Sequence, residues 1–335
     1  MAPYVTLHGI MNYDIVATLG PSSDTPAIWQ GMVDGGATAF RLNTSHLSLL
    51  HLEQWLERLT PFLLTLNPAL LVVLDLQGSK WRLGEFNTRV LEPGQHIELV
   101  YAQSSDRANT LPVPHTDFFQ AAQISSEEIV LNDAKIKLLR KTFGVESLRA
   151  RVLTGGEISA RKGITFAASN YRLEELNDKD RVILDQTRQR PFVQYAISYI
   201  RDALEMRKYR AHFGGTAHLI AKVERQSAIE DARQIAASAD EIWLCRGDLG
   251  AELGLRSMAE AAQHFTNAIR AMPIPVLLAG QVLEHMTEHP APTRSEVCTL
   301  YDALLKGYRG FVLSDEAAIG HYPIESCRAA ALFRN

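Results

Sequence analysis

The sequence predicts an α/β protein in which eight strand-then-helix units close into a parallel barrel, with an all-β unit inserted after the third strand. Three observations predict it. Short apolar runs recur at 15–20, 38–43, 70–75, 192–200, 218–224, 241–248, 275–280 and 310–314, each bounded by turn-forming residues. Stretches of helical period lie between most of them. The alternation then breaks once, from about Gly84 to about Lys162, where long helices vanish.

In chain order, the first two runs flank a helical stretch, and the second is followed by 48–59, where Leu49, Leu52, Leu56 and Leu59 fall three and four apart on one face. The third run ends at Asp75. The interrupting segment reads as short strands at 89–91, 96–101, 128–131, 135–139 and 148–153, punctuated by Pro93-Gly94 and Gly155-Gly156. The barrel is therefore expected from 1–83 and 163–335 and the inserted unit from 84–162. An insert after a third barrel strand hangs over the rim where such barrels place their chemistry, and suits a lid that excludes water. Between the fifth and sixth runs, 227–237 places Ile229, Ala232, Ile235 and Ala236 on one helical face, and a last helix is expected at 323–334. Strand counting alone leaves an open doubly wound sheet as the alternative.

Composition narrows the function class. At 335 residues and 46% hydrophobic the chain buries a large core, and a net charge of -4 gives no ground for nucleic acid or an anionic membrane as partner. Cys245, Cys298 and Cys327 are widely spaced and odd in number, which fits a reducing compartment, no structural zinc, and packing rather than nucleophilic roles. With no signal-like start and no apolar run of about 18 residues, a cytoplasmic location is expected.

The chemistry concentrates where two apolar runs turn charged: Leu219-Ile220-Ala221-Lys222-Val223-Glu224 and Glu241-Ile242-Trp243-Leu244-Cys245-Arg246-Gly247-Asp248-Leu249-Gly250. A lysine and two carboxylates meeting at one rim would form a divalent-metal site beside an ammonium group. Lys222 and Glu224, at alternate strand positions, could equally form an ordinary barrel-mouth ion pair, and Asp248 could simply cap a helix.

Motif by motif, the chain resembles the catalytic portion of the pyruvate kinase family. The resemblance runs through Thr18-Leu19-Gly20-Pro21-Ser22-Ser23, Arg41-Leu42-Asn43-Thr44-Ser45-His46, Leu74-Asp75-Leu76-Gln77-Gly78, Lys162-Gly163-Ile164, Ala221-Lys222-Val223-Glu224, Arg246-Gly247-Asp248-Leu249-Gly250, Pro292-Thr293-Arg294-Ser295-Glu296 and Leu313-Ser314-Asp315-Glu316, in order from residue 14 to about 330. It implies a TIM barrel with a lid, and phosphoryl transfer from phosphoenolpyruvate to ADP giving pyruvate and ATP. It further implies Mg²⁺ or Mn²⁺ on Glu224 and Asp248 and catalytic roles for Lys222, Arg41, Arg82 and Lys80. Substrate contacts would fall to Arg246, Gly247, Asp248, Asn43, Ser45 and Asp75, with the backbone N–H groups at 246–248 receiving a carboxylate. His46, Lys162, Pro21 and Asp133 would lie on the nucleotide side.

Departures from the family pattern carry expectations of their own. Asn43, Ser45 and Asp75 of the family's potassium site remain, but Leu76 and Gln77 follow the aspartate and Lys80 stands where a glutamate is usual. That resembles the potassium-independent branch, in which an ammonium replaces the cation, so no K⁺ requirement is expected. Gly280 replaces a threonine whose hydroxyl helps to protonate the enolate, and Ser314-Asp315-Glu316-Ala317-Ala318 replaces a Ser-Gly-Glu-Thr stretch. The family's C-terminal effector domain is not found after the last helix, so effector control is not expected, and residual helix faces could support a homodimer. The lost hydroxyls keep a second reading open: a metal-dependent enzyme acting on phosphoenolpyruvate or a pyruvate enolate, as an aldolase, a lyase or a transferase to another acceptor. A non-catalytic binding protein that inherited the barrel is a third.

Overall fold

The computed structural model describes residues 12–66, 70–132, 135–167 and 176–334. Eight parallel strands form the barrel: β1 (Asp14–Thr18), β2 (Ala39–Asn43), β3 (Leu71–Leu76), β4 (Val193–Ile197), β5 (Leu219–Val223), β6 (Glu241–Cys245), β7 (Val276–Ala279) and β8 (Gly310–Leu313). Each pairs with its sequence neighbours, and β1 also pairs with β8 through Asp14 opposite Gly310 to Ala17 opposite Leu313. Closure removes the open-sheet alternative.

Strand alternation then decides what reaches the rim. Val16, Ala39, Val73, Ala196, Ile220, Trp243, Leu277 and Val312 pack together inside the barrel, while their neighbours pack outward against the helices. Because side chains on one face recur every second residue, two steps along from these interior residues come Thr18, Arg41, Asp75, Ser198 and Lys222. One apolar register thus delivers the polar groups to the C-terminal mouth.

The helices follow the expected periodicity with local corrections. The stretch after β2 forms Leu49–Leu64, capped by Ser48 and burying Leu52, Leu56, Leu59 and Leu63. The stretch expected at 227–237 splits into Gln226–Glu230 and Ala232–Ile235, because Asp231 takes φ −101 and ψ 9 and its carboxylate accepts the Ala203 N–H at 2.6 Å. The final helix is Pro323–Ala330.

The insert has its own core. Six strands lie in the order Ile164–Phe166, Glu128–Leu131, Ile136–Phe143, Ser147–Thr154, His96–Val100, Thr110–Pro112, and Arg89–Leu91 pairs separately with Gly156–Ile158. The unit also holds a short helix, Thr116–Ala121. Its packing reaches past the 84–162 span: Trp81 stacks edge-on against Phe118 and Phe166, and Leu83 and Ile164 share the cluster. Aromatic burial therefore draws both connecting segments into the lid.

Among the described residues no helix is long and apolar enough to cross a membrane. Cys245 and Cys327 are buried free thiols, whereas Cys298 is exposed, so the packing role expected of all three cysteines does not extend to it.

Candidate active site

Asp75, at the end of β3 and almost fully buried, is the centre of the rim. Its Oδ2 accepts from Arg41 Nε at 2.8 Å and lies 2.5 Å from Arg41 Nη2 and 3.1 Å from Lys222 Nζ. Its Oδ1 accepts from Ser198 Oγ at 3.0 Å. Burial pushes this carboxyl upward, but the charges of Lys222 and Arg41 and their hydrogen bonds outweigh it and hold the pKa at about 2. The same pairing acts on Lys222. Burial would lower its pKa, yet Asp75 and Glu224 raise it above the usual lysine range, so the ammonium keeps its charge in a dry setting.

Lys222 Nζ also donates to Ser198 Oγ at 2.9 Å and lies 2.9 Å from Glu224 Oε1. Glu224, following β5, receives the Tyr199 N–H on Oε2 at 2.8 Å. Burial raises its pKa despite Lys222 beside it, and Asp248 adds a like charge nearby. Asp248, in the first turn of the helix Arg246–Leu253, is paired with Lys80. Burial opposes its charge, and Lys80 and Lys222 overcome that, holding it below the usual range. From Arg41 to Lys80 each charge of the rim thus has an opposite charge beside it, with Glu224 and Asp248 the one pair of like charges in the series.

The fit to a divalent ion rests on two carboxylates that follow adjacent strands, Glu224 after β5 and Asp248 in the helix after β6. Glu224 Oε1 is buried, ion-paired with Lys222 at 2.9 Å, and accepts no well-aligned hydrogen bond among the described residues. Mg²⁺ is commonly held by one or two carboxylates, with water and substrate phosphate completing its shell, so this donor set fits. No group of three or more His, Cys, Asp or Glu side chains suited to a metal occurs among the described residues, so a cage made of protein ligands alone does not form there.

The remaining expected residues fall at different distances from this network. Asn43 Oδ1 accepts the Ser45 N–H at 3.2 Å, which folds the β2 loop onto itself and leaves Ser45 buried. His46 stays open to solvent on one side. The protein crowded around its ring, then the charges of Arg82, Lys162, Arg41 and Lys80, hold its pKa at about 3, so it is neutral among cations. Arg82 sits in the hinge, bridged to Gly163, its guanidinium donating to the Arg161 carbonyl at 2.9 Å. Lys162 offers its carbonyl to Leu83 N–H at 2.9 Å in the same hinge. Arg246 is turned away from the rim carboxylates: its guanidinium donates to the carbonyls of Gly280 and Gln281 at 2.7 and 2.9 Å. Pro21 begins the short turn Pro21–Ser23 after β1 and is exposed. Asp133 lies outside the described residues.

Gly280 has φ +82, and a Cβ there would stand 2.9 Å from the Gly247 N and 3.2 Å from the Arg246 N. The lost hydroxyl therefore goes with a backbone that runs close to the helix N-terminus, a path only glycine follows without strain. Three participants were given no role in the sequence reading: Thr18, which opens a quoted motif and accepts from Arg41 Nη1 at 2.8 Å, and Ser198 and Tyr199, which lie in none. Tyr199 has φ +66, and its ring lies between the Lys80 ammonium at 5.7 Å and the Arg225 guanidinium at 5.3 Å. Their signal was register, since each of Thr18 and Ser198 stands two residues beyond an interior side chain.

Fold and rim together define a lidded (β/α)8 barrel with a paired-charge mouth and two carboxylates able to take a hard divalent ion. A model of the family described as pyruvate kinase, barrel domain, matches residues 10–327. Among curated proteins, the chain is 32% identical over 317 residues to a protein named pyruvate kinase from Methylorubrum extorquens, covering 93% of this chain and 66% of that one. It is 32% identical to a pyruvate kinase from Aeropyrum pernix, covering 93% and 68%, and 30% identical to pyruvate kinase 2 from Synechocystis, covering 93% and 54%. The chain belongs to the pyruvate kinase family. It spans about two thirds or less of the length of most of these relatives.

Proposed function

We propose that the protein transfers the phosphoryl group of phosphoenolpyruvate to ADP, giving pyruvate and ATP, with Mg²⁺ or Mn²⁺ on Glu224 and Asp248 and without a K⁺ requirement. The observation that carries this reading is the Lys222 ammonium, fixed by Asp75, Ser198 and Glu224 and held fully charged at the buried end of the rim. In the transfer, the bond between phosphorus and the enol oxygen breaks while one forms to a β-phosphate oxygen of ADP. The enolpyruvate left behind takes a proton at its methylene carbon. Such a reaction asks of the protein mainly positioning and positive charge around the moving group. A bound divalent ion supplies charge neutralisation at the phosphoryl oxygens. Lys222 and Arg41 would face the same oxygens and the developing enolate from the protein side, and Lys80 and Arg82 would add charge from the lid side. Asp75 is already paired by Arg41 and Lys222, and Lys80 adds a fixed cation to the same rim, which supports turnover without K⁺.

The second reading, other chemistry on a pyruvate enolate, is favoured by one observation: Gly280 leaves no hydroxyl where proton delivery would call for one. Pyruvate release from phosphoenolpyruvate, assayed with Mg²⁺ or Mn²⁺ and ADP, with and without K⁺, separates the two. Turnover changed by less than about tenfold by K⁺ supports the phosphotransferase, and a larger rise rejects potassium independence. Absence of turnover in protein that binds metal and phosphoenolpyruvate by calorimetry rejects the phosphotransferase in favour of the second reading.

A further inference from the structure

We infer that the first turn of the helix Asp178–Thr187 is a clasp that positions two loops of the site at once, Lys179 holding the loop after β2 and Asp180 the loop after β3. Asp180 is fully buried. Its Oδ2 accepts the Gly78 N–H at 2.9 Å, its Oδ1 accepts the Gln77 N–H at 3.3 Å, and Asn177 Nδ2 donates to Oδ2 at 2.9 Å and to the Gly78 carbonyl at 3.4 Å. These contacts join residues about a hundred positions apart in the chain. The loop they grip turns at Gly78, with φ +59, and Gln77 Nε2 donates to the Lys80 carbonyl at 3.0 Å. Lys80 and Arg82 follow within four residues, so the direction in which both cations leave the barrel is set where Asp180 holds the turn.

Lys179 does the corresponding work one loop over. Its ammonium donates to the Thr44 carbonyl at 2.5 Å and to the Leu47 carbonyl, bracketing the turn Thr44–His46 that carries Ser45 and His46. Thr44 Oγ1 in turn donates to the Asp75 carbonyl at 2.8 Å, joining the two loops. Burial lowers the Lys179 pKa to about 8, against the attraction of Asp180 and with the repulsion of Arg161 and Arg82. Neither Lys179 nor Asp180 belongs to the charge network of the rim, so both are positioning residues. The clasp lies on the segment through which the chain returns from the lid strand Ile164–Phe166 to the barrel, placing loop geometry and lid attachment on one element.

The inference rests on the proposed phosphotransfer only for its kinetic readout. The test is backbone amide exchange and steady-state kinetics on the full chain carrying Asp180→Asn or Lys179→Met. Asp180→Asn keeps the size of the side chain but sets an amide N–H₂ against an N–H donor. It should speed exchange at Gln77 and Gly78 by about tenfold or more, leave the barrel strands protected, and lower kcat with little change in KM. Lys179→Met should speed exchange across 44–48 and raise KM for the nucleotide more than it lowers kcat. Unchanged exchange in both loops, or a uniform rise across the barrel with kcat and KM shifting together, would overturn the clasp. If the unmodified chain shows no phosphotransfer, the functional proposal fails, while the exchange pattern still decides the clasp.

Discussion

Lys222 is the residue at which stability and the proposed chemistry would meet. If it serves the proposed phosphotransfer, replacing it with methionine would remove a transition-state charge contact and should lower pyruvate formation on the order of 10²-fold or more. The structure adds a second consequence, because Asp75 and Glu224 are buried against that ammonium. Leaving them partly unpaired should cost about 3 kcal/mol in a denaturant titration, and a variant that retains most activity would remove Lys222 from the mechanism. Glu316 offers a separate test by pH. Its buried carboxyl accepts the Leu283 and Ser314 N–H groups at 3.2 and 2.9 Å, and burial pushes its pKa up to about 7 from 4.5. Because the folded state holds the proton more tightly, the group's contribution to stability is present below pH 4.5 and is lost as pH rises through 7. The unfolding free energy of the wild type, measured relative to that of Glu316→Gln, should therefore fall by about 3 kcal/mol across that window, and a flat difference would reject the shift. At this scale Lys222, Glu224 and Asp248 were legible because charges ending apolar runs stand out. Ser198 and Tyr199 were not, since Ile197-Ser198-Tyr199-Ile200 reads as the continuation of an apolar run.

Among elements, the barrel strands were legible because eight apolar runs recur with helical stretches between most of them, and interior packing leaves little choice of register. Contacts between distant elements left no such trace. The grip of Asp180 on Gly78 joins a helix start to a strand end, and each sequence alone reads as a cap or a turn. In the lid, Thr110–Pro112, Gly156–Ile158 and Ile164–Phe166 are three-residue strands, too short for alternation to show, and Thr116–Ala121 is a helix of a turn and a half in a segment expected to be all β. The bend after β3 carries its own prediction. A Cβ at Gly78 would stand 2.3 Å from the Ser198 carbonyl oxygen, in a left-handed backbone. Gly78→Ala should destabilise the protein by about 3 kcal/mol in chemical denaturation and displace Ser198 from Asp75 and Lys222, lowering activity as well. An alanine variant of wild-type stability would show that the turn is not held in this form.

For the whole molecule, lid and barrel meet at a small open recess lined by Tyr199 and Asp248 from the barrel, Val130, Gly163, Ile164 and Thr165 from the lid, and Lys80 from the segment that joins them. The barrel cluster and the lid cluster share no residue: Trp81, Phe118 and Phe166 pack with the lid, Ile15, Phe40 and Trp29 with the barrel. Two cores joined by a hinge need not melt together. In scanning calorimetry the chain should absorb heat over a span too wide for one cooperative transition, its measured enthalpy exceeding the van't Hoff value. Added metal and phosphoenolpyruvate, which would bind where the two cores touch, should draw the two meltings towards a single sharper one.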